Sequence, residues 1–275
     1  MATEGRISWE EAVCRLRAAP EHADLVHACF YDDPLLAAAV RYRASTEWQA
    51  VQHVLGTARG RALDIGAGRG IAAYALAQDG WVVTALEPDG SDVVGAGAIR
   101  ALAHSAALSI DVVQTWGEQL PFADASFDLV HCRQVLHHAR DLPQLCREIG
   151  RVLKPGGQVV ATREHVISAA HDLQAFLDAH PLHRLYGGEH AYLLADYTGA
   201  LKRAGLRVEQ VLNPYESDIN TYPGTTADIK RRWAQRLRWP WPGLIPDALL
   251  FWAGARMTTP GRLFSFVGRK PGVLS

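Results

Sequence analysis

Cysteine is scarce: Cys14, Cys29, Cys132 and Cys146 are the four in a chain of 275 residues. None forms a Cys-x-x-Cys pair, so the spacing fits neither a zinc site nor a disulfide framework, and all four read as reduced thiols. Net charge is nearly absent too, at −1. That balance gives no electrostatic reason to hold a phosphate backbone, and no nucleic-acid partner is expected. Also lacking is any apolar run of about 18 uncharged residues, the length of a membrane span. The opening Met-Ala-Thr-Glu-Gly-Arg carries no signal-peptide core, so a cytoplasmic protein is expected. There is no internal repeat and no low-complexity segment.

What is present is an ordinary globular composition, 48% hydrophobic, in a length that suits one large α/β domain with an appended cap. The first sixty residues read as helical. Ser8 and Glu11 fit a capping box. Pro20 interrupts, and Asp33-Pro34 signals a second start with Asp33 as N-cap. Leu36, Ala39, Val40, Trp48, Val51 and Leu55 then continue at helical spacing to Gly56.

From Arg61 the pattern changes to short apolar runs alternating with helices. Strands are expected at 62–65, 81–86, 110–113, 127–131, 158–162, 207–212 and 263–267. Helices are expected at 71–78, towards Ala107, and at 141–153. Lys154-Pro155-Gly156-Gly157 reads as a turn before the fifth strand. Such alternation predicts a Rossmann-like, doubly wound, mostly parallel sheet of seven strands with helices on both faces. The expected organisation is an N-terminal helical cap over 1–58 and the α/β domain over 59–275. Insertions at about 164–196 and 213–261 would lie near the carboxyl ends of the strands, where open α/β sheets bind ligands.

Asp64-Ile65-Gly66-Ala67-Gly68-Arg69-Gly70 lies between a strand and a helix. Its glycines permit a tight turn and a close approach of backbone to ligand. The spacing is G-x-G-x-G, not the G-x-G-x-x-G of pyrophosphate-binding turns. Glu87 ends the next strand, where a carboxylate can accept both hydroxyls of a ribose. Further on stand Leu120-Pro121-Phe122-Ala123-Asp124-Ala125-Ser126-Phe127-Asp128-Leu129-Val130 and Leu153-Lys154-Pro155-Gly156-Gly157.

With these motifs in this order, Arg61 to Thr162 resembles the class I S-adenosylmethionine-dependent methyltransferase superfamily. The nearest branch includes ubiquinone, menaquinone and natural-product small-molecule methyltransferases. A little over a third of the chain is covered. The resemblance implies S-adenosylmethionine as cofactor and S-adenosylhomocysteine as product. It implies that Gly66, Ala67 and Gly68 line the methionine portion, with Asp64 helping to hold its amino group through the loop and Gly70 a further cofactor-binding position. Glu87 would hold the ribose and Pro88 would pack near the adenine. The usual acidic adenine ligand falls here on Trp116, a departure that leaves stacking by Trp116, with Gly117 and Glu118 reading the base edge. Arg133, just beyond the fourth strand, is a further cofactor candidate.

The acceptor is expected to be a small molecule. Candidates for a general base are His137, His138 and His165. Candidates for acceptor binding are Tyr31, Arg41, Glu164, His183, Tyr186 and His190. O-methylation of a metabolite or glycosyl group leads. C-methylation of a quinone or lipid-like acceptor, with the apolar segment 244–253 resting on a membrane surface or forming an apolar pocket wall, is the alternative, and a non-catalytic binding module is the third. Asn213-Pro214-Tyr215 is similar to the Asn-Pro-Pro-Tyr motif of nucleic-acid amino-methyltransferases, but it follows the wrong strand for that role. No metal is expected: His137 and His138, adjacent in sequence, ordinarily point apart, and no His-Glu-x-x-His spacing accompanies them.

Overall fold

The computed structural model describes residues 7–272. The opening hexapeptide, and with it the start of the expected cap, lies outside the described residues. Four helices come first: α1 (Trp9–Ala18), α2 (Ala23–Ala28), α3 (Leu35–Arg43) and α4 (Thr46–Leu55). Then follow β1 (Arg61–Ile65), α5 (Ile71–Gln78), β2 (Val82–Leu86), α6 (Ala96–Ser105), β3 (Ile110–Val113), β4 (Phe127–Arg133), α7 (Leu142–Val152) and β5 (Leu153–Ile167). The remainder is α8 (Asp172–Ala179), α9 (Pro181–Leu185), β6 (Tyr192–Leu193), α10 (Leu194–Arg203), β7 (Arg207–Leu212), α11 (Asp218–Thr221), α12 (Thr226–Arg236), α13 (Asp247–Ala255) and β8 (Arg262–Arg269).

Among the described residues the sheet has eight strands, not seven, in the order β3-β2-β1-β4-β5-β8-β7, with β6 paired to β5. All pairings are parallel except those of β8, which runs antiparallel to β5 and β7. Period-2 alternation assigns each strand residue to a face. Ala62, Leu129 and Val160 pack with Tyr42, Trp48 and Val51 of α3 and α4. Leu63, Ile65, Val130 and Cys132 pack on the other face with Leu145, Ile149, Tyr197 and Leu201 of α7 and α10. The sheet is thus buried on both sides, as a parallel sheet requires.

Three local expectations change. Ser8 does cap α1 by accepting from the Glu11 amide, but the Glu11 carboxylate turns to Arg15. Asp33 does not cap α3, whose N-cap is Pro34; its carboxylate is taken by Arg17 and Arg69 instead. The single helix expected up to Gly56 is broken at Ser45, whose hydroxyl caps α4 at the Trp48 amide.

β5 also runs five residues past its expected end at Thr162. Arg163, at φ +60°, makes a bulge, and pairing to β8 resumes at Glu164, His165 and Val166. The first insertion therefore starts later than expected, and Glu164 and His165 are strand residues, not the beginning of a loop. The expected turn at 154–157 is drawn to the sheet margin, where Gly156 and Gly157 exchange backbone hydrogen bonds with Lys270. Among the described residues, no helix is long and apolar enough to cross a membrane.

Candidate active site

The glycine turn joins β1 to α5. Gly66, Gly68 and Gly70 have φ of +61°, +55° and +82°, a region that favours glycine. Gly66 is confined besides: a Cβ there would stand 2.7 Å from the Val135 side chain. Over Gly68 the nearest atom to such a Cβ is Trp9 of α1, at 3.5 Å. Ala67 is tied to the end of β2, its amide donating to the Leu86 carbonyl at 3.1 Å.

Glu87, buried at the tip of β2, accepts from the amides of Gly68 (2.8 Å) and Asp89 (3.0 Å). Burial pushes its carboxyl up to about 7, against the pull of those two amides. Each oxygen keeps a second lone pair for a hydroxyl donor.

Asp64 alternates onto the α4 face of the sheet, where register sets it opposite His131 of β4. His131 Nδ1 and Asp64 Oδ1 are 2.7 Å apart, both buried, beneath the edge of Trp48. The first residue of the motif therefore braces the strand ends under the turn. His131 went unnoticed in the sequence, although a lone polar residue within Leu129-Val130-His131-Cys132 is the signal that could have found it. Arg69 was missed as well. Its buried guanidinium binds the carbonyls of Phe30, Asp32 and Val93 and the carboxylate of Asp33, joining the turn to the N-terminal helices.

Alternation also decides Arg133. Two residues beyond His131, it points to α4 and forms a bidentate pair with the buried Glu47, at 2.6 and 3.0 Å, between the rings of Phe30 and Tyr42. Its guanidinium is committed to that carboxylate and is not presented to the glycine turn. Arg41 is likewise committed, to Asp32 at 2.6 and 2.9 Å.

On the opposite flank Trp116 is half exposed, with Arg140 4.1 Å above its ring centroid. Gly117 sits where a Cβ would meet Leu145 at 2.7 Å and Ile65 at 3.3 Å, so this segment lies against the end of β1. The Glu118 carboxylate accepts from the Arg140 amide. Pro88 accepts from Gln114 through its carbonyl at 3.4 Å.

Beyond β4 a single 3-10 turn, Leu136–His138, brings the two adjacent histidines together, their ring centroids 4.2 Å apart. The expectation that they point apart holds for an extended strand and fails in so tight a turn. Glu164 accepts from the amides of Val135, Leu136 and His137 at 3.0–3.1 Å, and His137 Nδ1–H donates to it at 2.6 Å. Glu189, from the first insertion, approaches from the other side: 3.6 Å from His137 Nε2, 3.8 Å from His138 Nε2 and 3.8 Å from His180 Nδ1. The Tyr186 hydroxyl donates to it at 3.1 Å. The His165 ring lies 4.8 Å from that of His137, and its Nδ1–H donates to the Gly261 carbonyl at 2.8 Å.

Burial disfavours charge on His137, but Glu164 and Glu189 outweigh it and raise the imidazole to about 9. Burial and the charge of His137 lower His165 to about 3, and they lower His138 as well. His165 and His138 are thus neutral at pH 7, each with Nδ1 facing a carbonyl and Nε2 carrying a free lone pair.

Of the acceptor candidates, Glu164 and Tyr186 join this cluster. Tyr31 is half-buried nearby; loss of solvent, with the Glu189 charge among smaller causes, raises its hydroxyl. His183 leaves Nδ1 without a protein partner, and His190 packs on Tyr192 at 4.4 Å, so neither is bonded to the cluster. Asn213 and Tyr215 belong to a turn after β7: Asn213 accepts from the Tyr215 amide and donates to the Phe251 carbonyl, away from the glycine turn.

Residues 63–161 match a methyltransferase domain family. Over 166 residues the chain is 33% identical to 27-O-demethylrifamycin SV methyltransferase of Amycolatopsis mediterranei, covering 59% of this chain and 57% of that one. It is 38% identical over 101 residues to a ubiquinone biosynthesis O-methyltransferase of Methylocella silvestris, 37% of this chain and 38% of that one. The chain therefore spans less than two thirds of the length of the curated relatives it matches. A crystal structure of a methyltransferase described as putative, from Bacillus halodurans, shares the fold at TM-score 0.55 and 22% identity, over 82% of this chain and 98% of that one. The motif order, the sheet and these matches agree that residues 63–161 form a methyltransferase domain, similar to those of the class I S-adenosylmethionine-dependent superfamily.

Proposed function

We propose that the chain transfers a methyl group from S-adenosylmethionine to a small-molecule acceptor, at a hydroxyl oxygen of a metabolite or glycosyl group. Val135 is the observation that carries this reading. Its side chain lies against Gly66 while its amide is bound by Glu164, so the glycine turn and the histidine cluster share one wall.

The residues fit the methyl donor. Three of the five turn positions carry no Cβ, and the open side of Gly68 faces only Trp9. Gly66, Ala67 and Gly68 would hold the methionine portion, Glu87 the ribose hydroxyls, and Pro88 with Trp116 to Glu118 the adenine. When bound, the sulfonium supplies an activated methyl that needs an in-line nucleophile. The chain's own part is to orient the acceptor oxygen and receive its proton. Neutral His138 offers a lone pair for that step, whereas His137, held between two carboxylates, already carries its proton, and His165, lowered to about 3, has little affinity for one.

O-methylation is supported by the two O-methyltransferase relatives and by the neutral His138 imidazole. Mass spectrometry of candidate acceptors incubated with the protein and donor tests it, the product being heavier by about 14 Da. We expect His138→Ala to bind donor normally and lose turnover; full turnover by this variant across pH would remove the histidine base.

C-methylation of a lipid-like acceptor draws on a separate observation. Helix α13 leaves Leu249, Phe251 and Trp252 about half exposed, and Trp239, Trp241 and Leu244 nearby are exposed too. The position of the added methyl in the product separates the two chemistries, and donor binding without any product would identify a non-catalytic module.

A further inference from the structure

We propose that His137, His165 and Glu189 form a binding site for one divalent first-row transition-metal ion. One ring nitrogen of each histidine and one carboxylate oxygen lie within 4.8 Å of one another, on three buried residues. They come from three separate elements: the turn after β4, the far end of β5, and the loop between α9 and β6.

The surroundings of each donor match what a metal requires. A ligating imidazole is oriented by a hydrogen bond from its other nitrogen, which fixes the tautomer. His137 has this from Glu164, a carboxylate itself anchored by three backbone amides. His165 has it from the Gly261 carbonyl. In both rings Nδ1 is thereby spent and Nε2 is left as the donor. Glu189 is held at its other oxygen by the Tyr186 hydroxyl.

Distance favours an ion over a direct hydrogen bond. His137 Nε2 and Glu189 Oε2 are 3.6 Å apart, too long for a good hydrogen bond. Donors at the usual bond lengths around one ion stand about 3.0–3.5 Å from each other. Closing the widest pair, at up to 4.8 Å, to that spacing needs about 1.3–1.8 Å shared between two side chains, within reach of their torsions. The ion takes the place on His137 Nε2 that a proton holds in its absence.

Two imidazoles and one carboxylate suit zinc, iron(II), cobalt or nickel better than magnesium or calcium, which prefer all-oxygen shells. Three protein ligands leave positions open, the pattern of reactive rather than structural sites. Resting on the acceptor reading above, an oxygen of the acceptor would occupy one of them. His138 and His180 stand beside Glu189, at 3.8 Å each, where they border the opening.

The test is titration of chelator-treated full-length protein with Co2+ alone, read by ligand-field absorption and calorimetry, followed by displacement with Zn2+. One ion per chain is expected. His165→Gln and Glu189→Gln should each weaken binding by at least about 100-fold, and Tyr186→Phe, which removes only the brace on Glu189, by about tenfold. Circular dichroism of each variant separates a lost site from a lost fold, and Tyr186→Phe keeps the test intact where a buried ligand variant unfolds. Absence of stoichiometric Co2+ binding by the wild-type chain would overturn the proposal, as would folded His165→Gln and Glu189→Gln variants that bind like the wild type. S-adenosylmethionine binding, measured on the same metal-free samples, reports separately on the methyltransferase reading.

Discussion

Glu164 and His137 meet across 2.6 Å in a fully buried pair, and the same carboxylate gathers the three amides of the turn that carries the histidine. One side chain from β5 therefore shapes the whole segment after β4. Glu164→Ala should leave those donors without an acceptor and cost about 3–5 kcal/mol. Denaturant unfolding checks the loss, and a cost under about 1 kcal/mol would show that the turn holds without it.

Arg133 and Glu47 give a second prediction. Arg133→Ala should lower stability by about 3–5 kcal/mol, because it leaves the buried Glu47 carboxylate with only Arg163 at 3.8 Å and the Tyr42 hydroxyl beside it. Donor affinity should stay within about threefold, below 1 kcal/mol. In a double-mutant cycle with Glu47→Gln, the combined loss should fall short of the sum. A large fall in affinity with unchanged stability would return Arg133 to the cofactor.

Glu87 carries a pH dependence whose sign follows from its raised pKa, about 7 against an ordinary 4.5. The free protein holds this proton where the unfolded chain has lost it. This contribution to stability is therefore full below the unfolded value and is lost as pH rises through about 7. Donor binding should run the other way, since ribose hydroxyls need the carboxylate as acceptor. Calorimetry between pH 6 and 8 should show affinity increasing with pH in the wild type and a weak, flat profile in Glu87→Gln.

Much of this was legible in the sequence, for reasons tied to particular residues. Helix α5 and strands β3 and β7 begin and end where periodicity and glycine place them. The glycine turn is legible because its chemistry is local: a left-handed backbone needs glycine at those positions. The cluster around Glu189 is not local. It depends on the Arg163 bulge, which carries β5 past Thr162, and on the 3-10 turn that draws His137 and His138 together. Neither has a periodic signature. The partner of Arg133 follows from register between strands and from the packing of α4, which no single stretch of sequence displays.

Trp116 stands where the resemblance expects an acid, half exposed beneath Arg140. Trp116→Ala should cost under about 1 kcal/mol of stability, as for an exposed cation–π contact. It should weaken donor binding about tenfold if the ring stacks on adenine. Tryptophan fluorescence, quenched on binding in the wild type and less so in the variant, gives the check.

The most direct test of the central claim is calorimetric titration of the wild-type chain and of Gly68→Trp with S-adenosylmethionine. One site per wild-type chain is expected, and no binding by a Gly68→Trp variant that still melts cooperatively, because the indole fills the space above the turn. A folded wild-type chain that releases no heat and protects nothing in the presence of the donor would contradict it.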